Sequence, residues 1–165
     1  MAVIAATPTR QHTITALVQN EAGTLNRLVS LFRRRGFSLA SLNAGDCEQP
    51  GFSRLTIVVQ GDDSELYQCL RQLEKLIDVV EVADLRPEQA VERELALVRV
   101  EPKEEDRPFV HSIAAQLGAR TPRVSEASIV VEASASPAEI ERLVESLRPY
   151  NVTEVVRSGL LAMSI

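Results

Sequence analysis

Apolar and polar positions alternate from His12 to Val18, with Ile14, Ala16 and Val18 on one side, so the chain opens with a strand. The period then changes. Leu25, Leu28, Val29 and Phe32 recur at i, i+3, i+4 and i+7, the apolar stripe of an amphipathic helix. Arg33, Arg34 and Arg35 suit the negative end of its dipole, and Gly36 is placed to stop it. Between the two patterns lies Asn20-Glu21-Ala22-Gly23-Thr24-Leu25. A glycine loop that opens a helix leaves backbone N–H groups unpaired, so Gly23, Thr24 and Leu25 offer a cradle for a carboxylate or phosphate. An ordinary strand-to-helix connection carries the same pattern.

Residues 39–44 read as a second strand of weak alternation, Gln49-Pro50-Gly51-Phe52 as a turn, and Leu55, Ile57 and Val59 as a third strand hairpinned to the second. Asp62 and Glu65 have capping-box spacing, and Leu66, Cys69, Leu70 and Leu73 stripe a second helix, which places Cys69 in the core. Residues 79–85 close the unit as βαββαβ.

The order then repeats. Residues 87–94 are charged and read as a linker. A strand follows at 95–100, then a helix striped by Phe109, Val110, Ile113 and Leu117, with Asp106 near its start and Gly118 at its end. Short strands are expected around Arg123 and Val124 and at 128–132. Ser136-Pro137-Ala138-Glu139 has the order of a helix start, ahead of Ile140, Leu143, Val144 and Leu147. Residues 152–156 close the second unit, and Leu161, Met163 and Ile165 alternate at the end. Val79-Val80-Glu81-Val82 echoes Val152-Thr153-Glu154-Val155. The expected class is α+β, two tandem ferredoxin-like βαββαβ units with domains at 10–86 and 95–165.

Composition narrows what these units do. The 165 residues, 45% hydrophobic, suffice for one ordinary domain or two small ones. A net charge of −5 and a pI near 5.2 argue against bulk attraction to nucleic acid or to an anionic membrane. The opening Met1-Ala2-Val3-Ile4-Ala5-Ala6-Thr7-Pro8 has no basic stretch and too short an apolar run for a secretory leader, and no segment approaches the ~20 apolar residues of a membrane span. Cys47 and Cys69 are therefore expected as free thiols in a reducing cytoplasm, with the sequon Asn151-Val152-Thr153 silent.

The residue inventory points away from catalysis in this chain. His12 and His111 stand far apart, neither with a cysteine or carboxylate at metal-ligand spacing. GxSxG, Walker and GxGxxG patterns do not occur. Asp62-Asp63 and Glu104-Glu105-Asp106 sit at helix starts, where the dipole accounts for them. An RNA-recognition module shares the βαββαβ order, yet it stacks bases on aromatics of its central strands. Here those strands read Ile14, Ala16, Val18 and Leu55, Ile57, Val59, and aromatics make up 4% of the chain.

Four segments carry a family resemblance. Asn20-Glu21-Ala22-Gly23-Thr24-Leu25, Leu31-Phe32-Arg33-Arg34-Arg35-Gly36-Phe37, Ser53-Arg54-Leu55-Thr56-Ile57-Val58-Val59 and Val91-Glu92-Arg93-Glu94-Leu95-Ala96-Leu97-Val98-Arg99-Val100 resemble the small, regulatory subunit of acetolactate (acetohydroxyacid) synthase. The likeness runs through Glu154-Val155-Val156-Arg157-Ser158-Gly159, after an N-terminal extension of about ten residues, and the run past the linker is its most specific piece. The resemblance implies an N-terminal ACT domain that binds a branched-chain amino acid, usually valine, at an ACT–ACT homodimer interface, and a C-terminal ferredoxin-like domain. It implies no activity in the chain itself, but activation and feedback control of a large catalytic subunit that carries thiamine diphosphate, Mg²⁺ and FAD. A stand-alone ACT-type amino-acid sensor for another enzyme is the alternative.

Carried onto this sequence, the site is Asn20, Glu21, Ala22, Gly23, Thr24 and Leu25, closed by the partner's helix-to-strand turn at Phe37, Ser38 and Leu39. The backbone suits a carboxylate, and the Asn20 amide offers both a donor and an acceptor. Ser38 departs from the asparagine usual in similar proteins, which bears on effector identity and on the strength of feedback. The second unit has Glu101-Pro102-Lys103-Glu104-Glu105-Asp106 in place of the glycine loop, so no equivalent site is expected there.

Overall fold

The computed structural model describes residues 10–165; the segment read as lacking a secretory leader lies outside the described residues. The first alternating run is β1 (Arg10–Gln19), followed by α1 (Thr24–Arg35), β2 (Ser38–Asp46), β3 (Phe52–Gly61), α2 (Asp63–Leu73) and β4 (Val79–Leu85). The strands lie in the order β2-β3-β1-β4 and pair antiparallel. The register sets Ile14 against Ile57 and Ala16 against Leu55. One face of the sheet thereby meets Leu28, Leu31 and Phe32 of α1 and Leu66, Cys69 and Leu73 of α2 in a continuous buried core.

Helix ends follow the sequence signals. Gly36 takes φ 72 at the end of α1, with its N–H on the Arg33 carbonyl at 3.3 Å. Asp62 caps α2: its carboxylate accepts from the Glu65 N–H at 2.9 Å, while the Glu65 carboxylate accepts from the Asp62 N–H at 2.8 Å. Burial pushes the Cys69 thiol up to about 12, which keeps it protonated and inert.

The second half repeats the plan with β5 (Ala90–Val100), α3 (Arg107–Gln116), β6 (Arg120–Val124), β7 (Ile129–Ala135), α4 (Pro137–Leu147) and β8 (Val152–Arg157), strands ordered β6-β7-β5-β8. Its own core joins Ala96, Val98, Val100, Ile129 and Val131 to Val110, Ala114, Ile140, Leu143, Val144 and Leu147. The Glu139 carboxylate accepts from the N–H and the hydroxyl of Ser136 at the start of α4 (2.9 and 2.6 Å). The architecture is α+β, the ferredoxin-like order twice.

One boundary differs from the sequence reading. Of the expected linker 87–94, only Pro87–Gln89 is a short 3-10 turn, and β5 already begins at Ala90. The charges of Glu92, Arg93 and Glu94 hid a strand period in which Glu94 faces inward, buried and opposite Ala135. The last residues, β9 (Leu161–Ser164), pair with β5 in the second sheet and also cluster with the first unit. Hydrogen bonds to the first unit accompany that clustering: Asn43 donates to the Leu160 carbonyl (2.9 Å), the Ala162 N–H reaches the buried Thr56 hydroxyl (3.3 Å), and the Ile165 N–H reaches the Gln89 carbonyl (3.1 Å). Among the described residues no helix is long and apolar enough to cross a membrane.

Leu28, fully buried, anchors the underside of α1. Leu28→Ala is expected to lower stability by about 2–5 kcal/mol through lost contacts and the cavity left behind. Urea unfolding of the two chains measures it.

Candidate functional site

Where β1 ends, the chain must turn and enter α1 within a few residues. The Asn20 N–H donates to the Gly51 carbonyl (2.9 Å), tying the loop to the β2–β3 turn, and the Thr24 N–H donates to the Glu21 carbonyl (3.2 Å). Gly23, with φ 93 and ψ −9, occupies the left-handed region and forms the N-cap of α1, its carbonyl accepting the Arg27 N–H at 2.9 Å. A glycine at this position has no side chain to cap the helix, and none does. The next N–H groups, on Leu25 and Asn26, fall in the first turn, where no intrahelical acceptor exists. They carry the positive end of the helix dipole to the mouth of a small cavity.

That cavity has a volume of about 200 Å³ and is lined by Val18, Gln19, Asn20, Glu21, Gly23, Thr24, Leu25, Asn26, Ala44 and Ser53. It is smaller than the roughly 300–1,000 Å³ of pockets for drug-sized ligands, so it suits a molecule of few heavy atoms. Val18, Leu25 and Ala44 give it an apolar side, and amide and hydroxyl groups of Asn20, Asn26 and Ser53 give it a polar one. The Asn20 amide donates to the Asp46 carboxylate at 3.3 Å, which leaves its carbonyl oxygen to accept.

The structure divides the nine expected site residues. Asn20, Glu21, Gly23, Thr24 and Leu25 line the cavity, and Ala22, in the same loop, does not. Phe37, Ser38 and Leu39 lie beyond the other end of α1, whose 12 residues span about 18 Å. Ser38 and Leu39 pair with Gln60 and Val59, whereas the cavity residue Ser53 pairs with Asp46 at the opposite end of the hairpin. Phe37 packs edge-on against Phe32 at 6.0 Å. Of the three N–H groups expected to cradle an anion, that of Thr24 is engaged by Glu21, and Asn26 provides one that the sequence reading missed. Val18 and Gln19, at the end of β1, were missed too, as were Ala44 and Ser53, because only the sheet order brings β2 and β3 beside the loop.

Behind the loop lies a further pair that sequence reasoning did not find. Arg27 donates from Nε and Nη2 to the Asp78 carboxylate at 2.5 and 2.9 Å, and Asp78 is only 4% exposed. Hydrogen bonding to Asp78 holds the Arg27 pKa above its ordinary value. Nη2 of Arg27 also reaches the buried Thr24 hydroxyl at 3.3 Å, and the Asp78 carbonyl accepts the Gln19 N–H at 2.8 Å. The signal in the sequence was the arginine itself: a cation in the first turn opposes the helix dipole unless a tertiary partner holds it.

A larger cleft of about 550 Å³ is bordered by Arg10, His12, Asp63, Asp84 and Arg86. Its rim charges are solvated, Arg10 and Asp63 pair with each other, and the His12 ring nitrogen Nε2 lies 3.2 Å from the Gly61 carbonyl oxygen. β3 starts earlier than its alternation suggested, so Phe52 is the single aromatic on the central strands β1 and β3, and it stands at a strand end. A pair of stacking aromatics is not available there.

Known proteins align along both units. The model of the AHAS small subunit-like ACT domain matches residues 14–81, and that of the small subunit of acetolactate synthase matches residues 93–165. A probable acetolactate synthase small subunit of Archaeoglobus fulgidus is 39% identical over 153 residues, covering 93% of this chain and 96% of that one. The acetolactate synthase small subunit of Mycolicibacterium smegmatis is 39% identical over 158 residues, covering 96% and 92%. The crystal structure of the small subunit from Thermotoga maritima superposes with a TM-score of 0.88 at 34% identity, over 94% of this chain and 98% of that one.

Gly23→Ala forces a side chain into the left-handed region and brings its Cβ to 3.0 Å from Nη1 of Arg27, so a loss of about 1–2 kcal/mol is expected. Gly45→Ala, in open space and without a positive φ, is expected to be near neutral. Chemical denaturation of both variants makes the comparison.

Proposed function

The chain belongs to the acetolactate synthase small subunit family, and on that premise we propose that it binds a branched-chain amino acid, valine foremost, at the Gly23 loop and uses that binding to control a large catalytic subunit in the cytoplasm. It is a regulatory subunit with an ACT domain. The observation that carries the effector reading is the uncapped start of α1 opening onto a small, half-apolar cavity. The N–H groups of Leu25 and Asn26 take the carboxylate, the Asn20 carbonyl oxygen takes the ammonium, and Val18, Leu25 and Ala44 receive the branched side chain. The thiamine diphosphate, Mg²⁺ and FAD of the reaction belong, in this reading, to the catalytic partner, which the small subunit activates and through which it exerts feedback inhibition.

Geometry within one chain supports a homodimer. The cavity and the Phe37-Ser38-Leu39 turn sit at opposite ends of α1, and the turn leads into β2, which is an edge of its sheet. A second copy pairing along that edge would bring its turn to the first copy's cavity, and an unpaired edge favours such pairing.

Valine has about eight heavy atoms, and at most ~1.5 kcal/mol per atom limits its affinity to the nanomolar range. Burying the isopropyl group contributes roughly 1.5–3 kcal/mol, so micromolar-to-millimolar binding is expected. Gly23→Asp places a carboxylate in the cradle and should abolish binding. Asn20→Ala should weaken it by about 1–3 kcal/mol, and Ser38→Asn should leave it unchanged or tighten it. Calorimetry with valine, leucine and isoleucine is the test; wild-type affinity in Gly23→Asp would put the site elsewhere. In the same preparation, sedimentation should show a dimer with valine present. The chain alone should make no acetolactate from pyruvate, and it should raise the rate of its large subunit.

A further inference from the structure

Arg27 and Asp78 touch three cavity residues from behind without lining the cavity. The Asp78 carbonyl holds the Gln19 N–H at 2.8 Å, Nη2 of Arg27 holds the Thr24 hydroxyl at 3.3 Å, and Nη1 lies 3.0 Å from where a Cβ on Gly23 would stand. The ion pair thus binds the first helical residue and sits against the turn glycine, while the main chain of Asp78 holds the end of β1. Stability alone is a poor reason for it. The pair buries a carboxylate almost completely, a desolvation cost that apolar packing would avoid, while the arginine stays 44% exposed, where ion pairing contributes little. What a two-point arginine–carboxylate contact supplies instead is direction, because the planar guanidinium meets both oxygens in one orientation.

We infer that Arg27 and Asp78 are positioning residues for the effector, a latch that fixes the Gly23 loop so that the Leu25 and Asn26 N–H groups converge on the carboxylate. This rests on the effector reading above. The latch acts on the backbone that presents the polar groups, whereas the apolar side of the cavity is supplied by the side chains of Val18, Leu25 and Ala44. Loosening it therefore weakens every α-amino acid with the same carboxylate and leaves the preference among side chains unchanged. The contact with Gly23 adds a second consequence: part of the penalty of a side chain at Gly23 is collision with the guanidinium, and that part disappears when the guanidinium does.

The test is calorimetry on the full chain with valine, leucine and isoleucine, for wild type, Arg27→Lys, Arg27→Met and Asp78→Asn, with urea unfolding alongside. Arg27→Lys keeps the charge and loses the two-point contact. Expected is a loss of affinity of about tenfold or more in each variant, equal for the three amino acids, in protein that still unfolds cooperatively. Gly23→Ala should also cost less affinity in the Arg27→Met background than in wild type. A merely structural pair would lower the unfolding midpoint and leave Kd where it was, and that result overturns the latch while the effector site stands. Should Arg27→Met fail to fold, Arg27→Lys decides on the same criterion. Wild type binding none of the three amino acids overturns the latch and the effector reading together.

Discussion

A helix that begins directly after a strand must end the strand, reverse direction and start its first turn with backbone donors that have no internal acceptor. How each helix here meets that constraint decides what it can do. α2 and α4 use side chains of their own: Asp62 with Glu65, and Glu139 on Ser136. α1 uses a left-handed glycine with no side-chain cap and no acidic residue in its first turn. The Leu25 and Asn26 donors therefore remain open, beside the hairpin of β2 and β3. The cavity follows from that choice.

The two repeats make the comparison internal to the molecule. α3 occupies in the second unit the place of α1 in the first, and it too lacks a side-chain cap. It is preceded by a 3-10 turn of Glu104, Glu105 and Asp106, which puts negative charge at the positive end of the dipole. Arg107 then binds the carbonyls of Ser125 (2.6 Å) and Glu126 (3.2 Å), closing the turn from the side. One fold thus carries two helix starts of opposite character: the first without side-chain cap or acidic residue, the second already supplied with carboxylates. The repeat is of architecture alone.

Local patterns were legible in the sequence because they are local. Alternation, helical stripes, the Asp62 capping box, Gly36 and the glycine loop all act within one turn or one strand, and each lies where the periodicity put it. What was not legible depends on distance along the chain. Arg27 and Asp78 are 51 positions apart, and Asp78 sits in a connection with no pattern of its own. The cavity wall at Ala44 and Ser53 needs the order β2-β3-β1-β4, which no single segment encodes. The strand start at Ala90 was masked for a different reason: in Val91-Glu92-Arg93-Glu94 a buried glutamate stands where the period calls for an apolar side chain. Glu94 is tolerated because Arg157 approaches it at 4.0 Å.

The C-terminal residues show how far segment order and structural membership can part. Leu161, Met163 and Ile165 alternate as a last strand, and β9 pairs with β5 while residues of the first unit supply further hydrogen-bond partners. Ala162 meets the Thr56 hydroxyl, and Thr56 lies directly across from Asn43, which binds the Leu160 carbonyl. Asn43 is the neighbour of Ala44 in the cavity wall. Since adjacent strand residues point to opposite faces, β2 shows the cavity one side of its backbone and β9 the other. The same hairpin that walls the cavity therefore also holds the end of the chain, and the residues between the two tethers, 92–159, form a unit joined at both ends to the one that carries the candidate site.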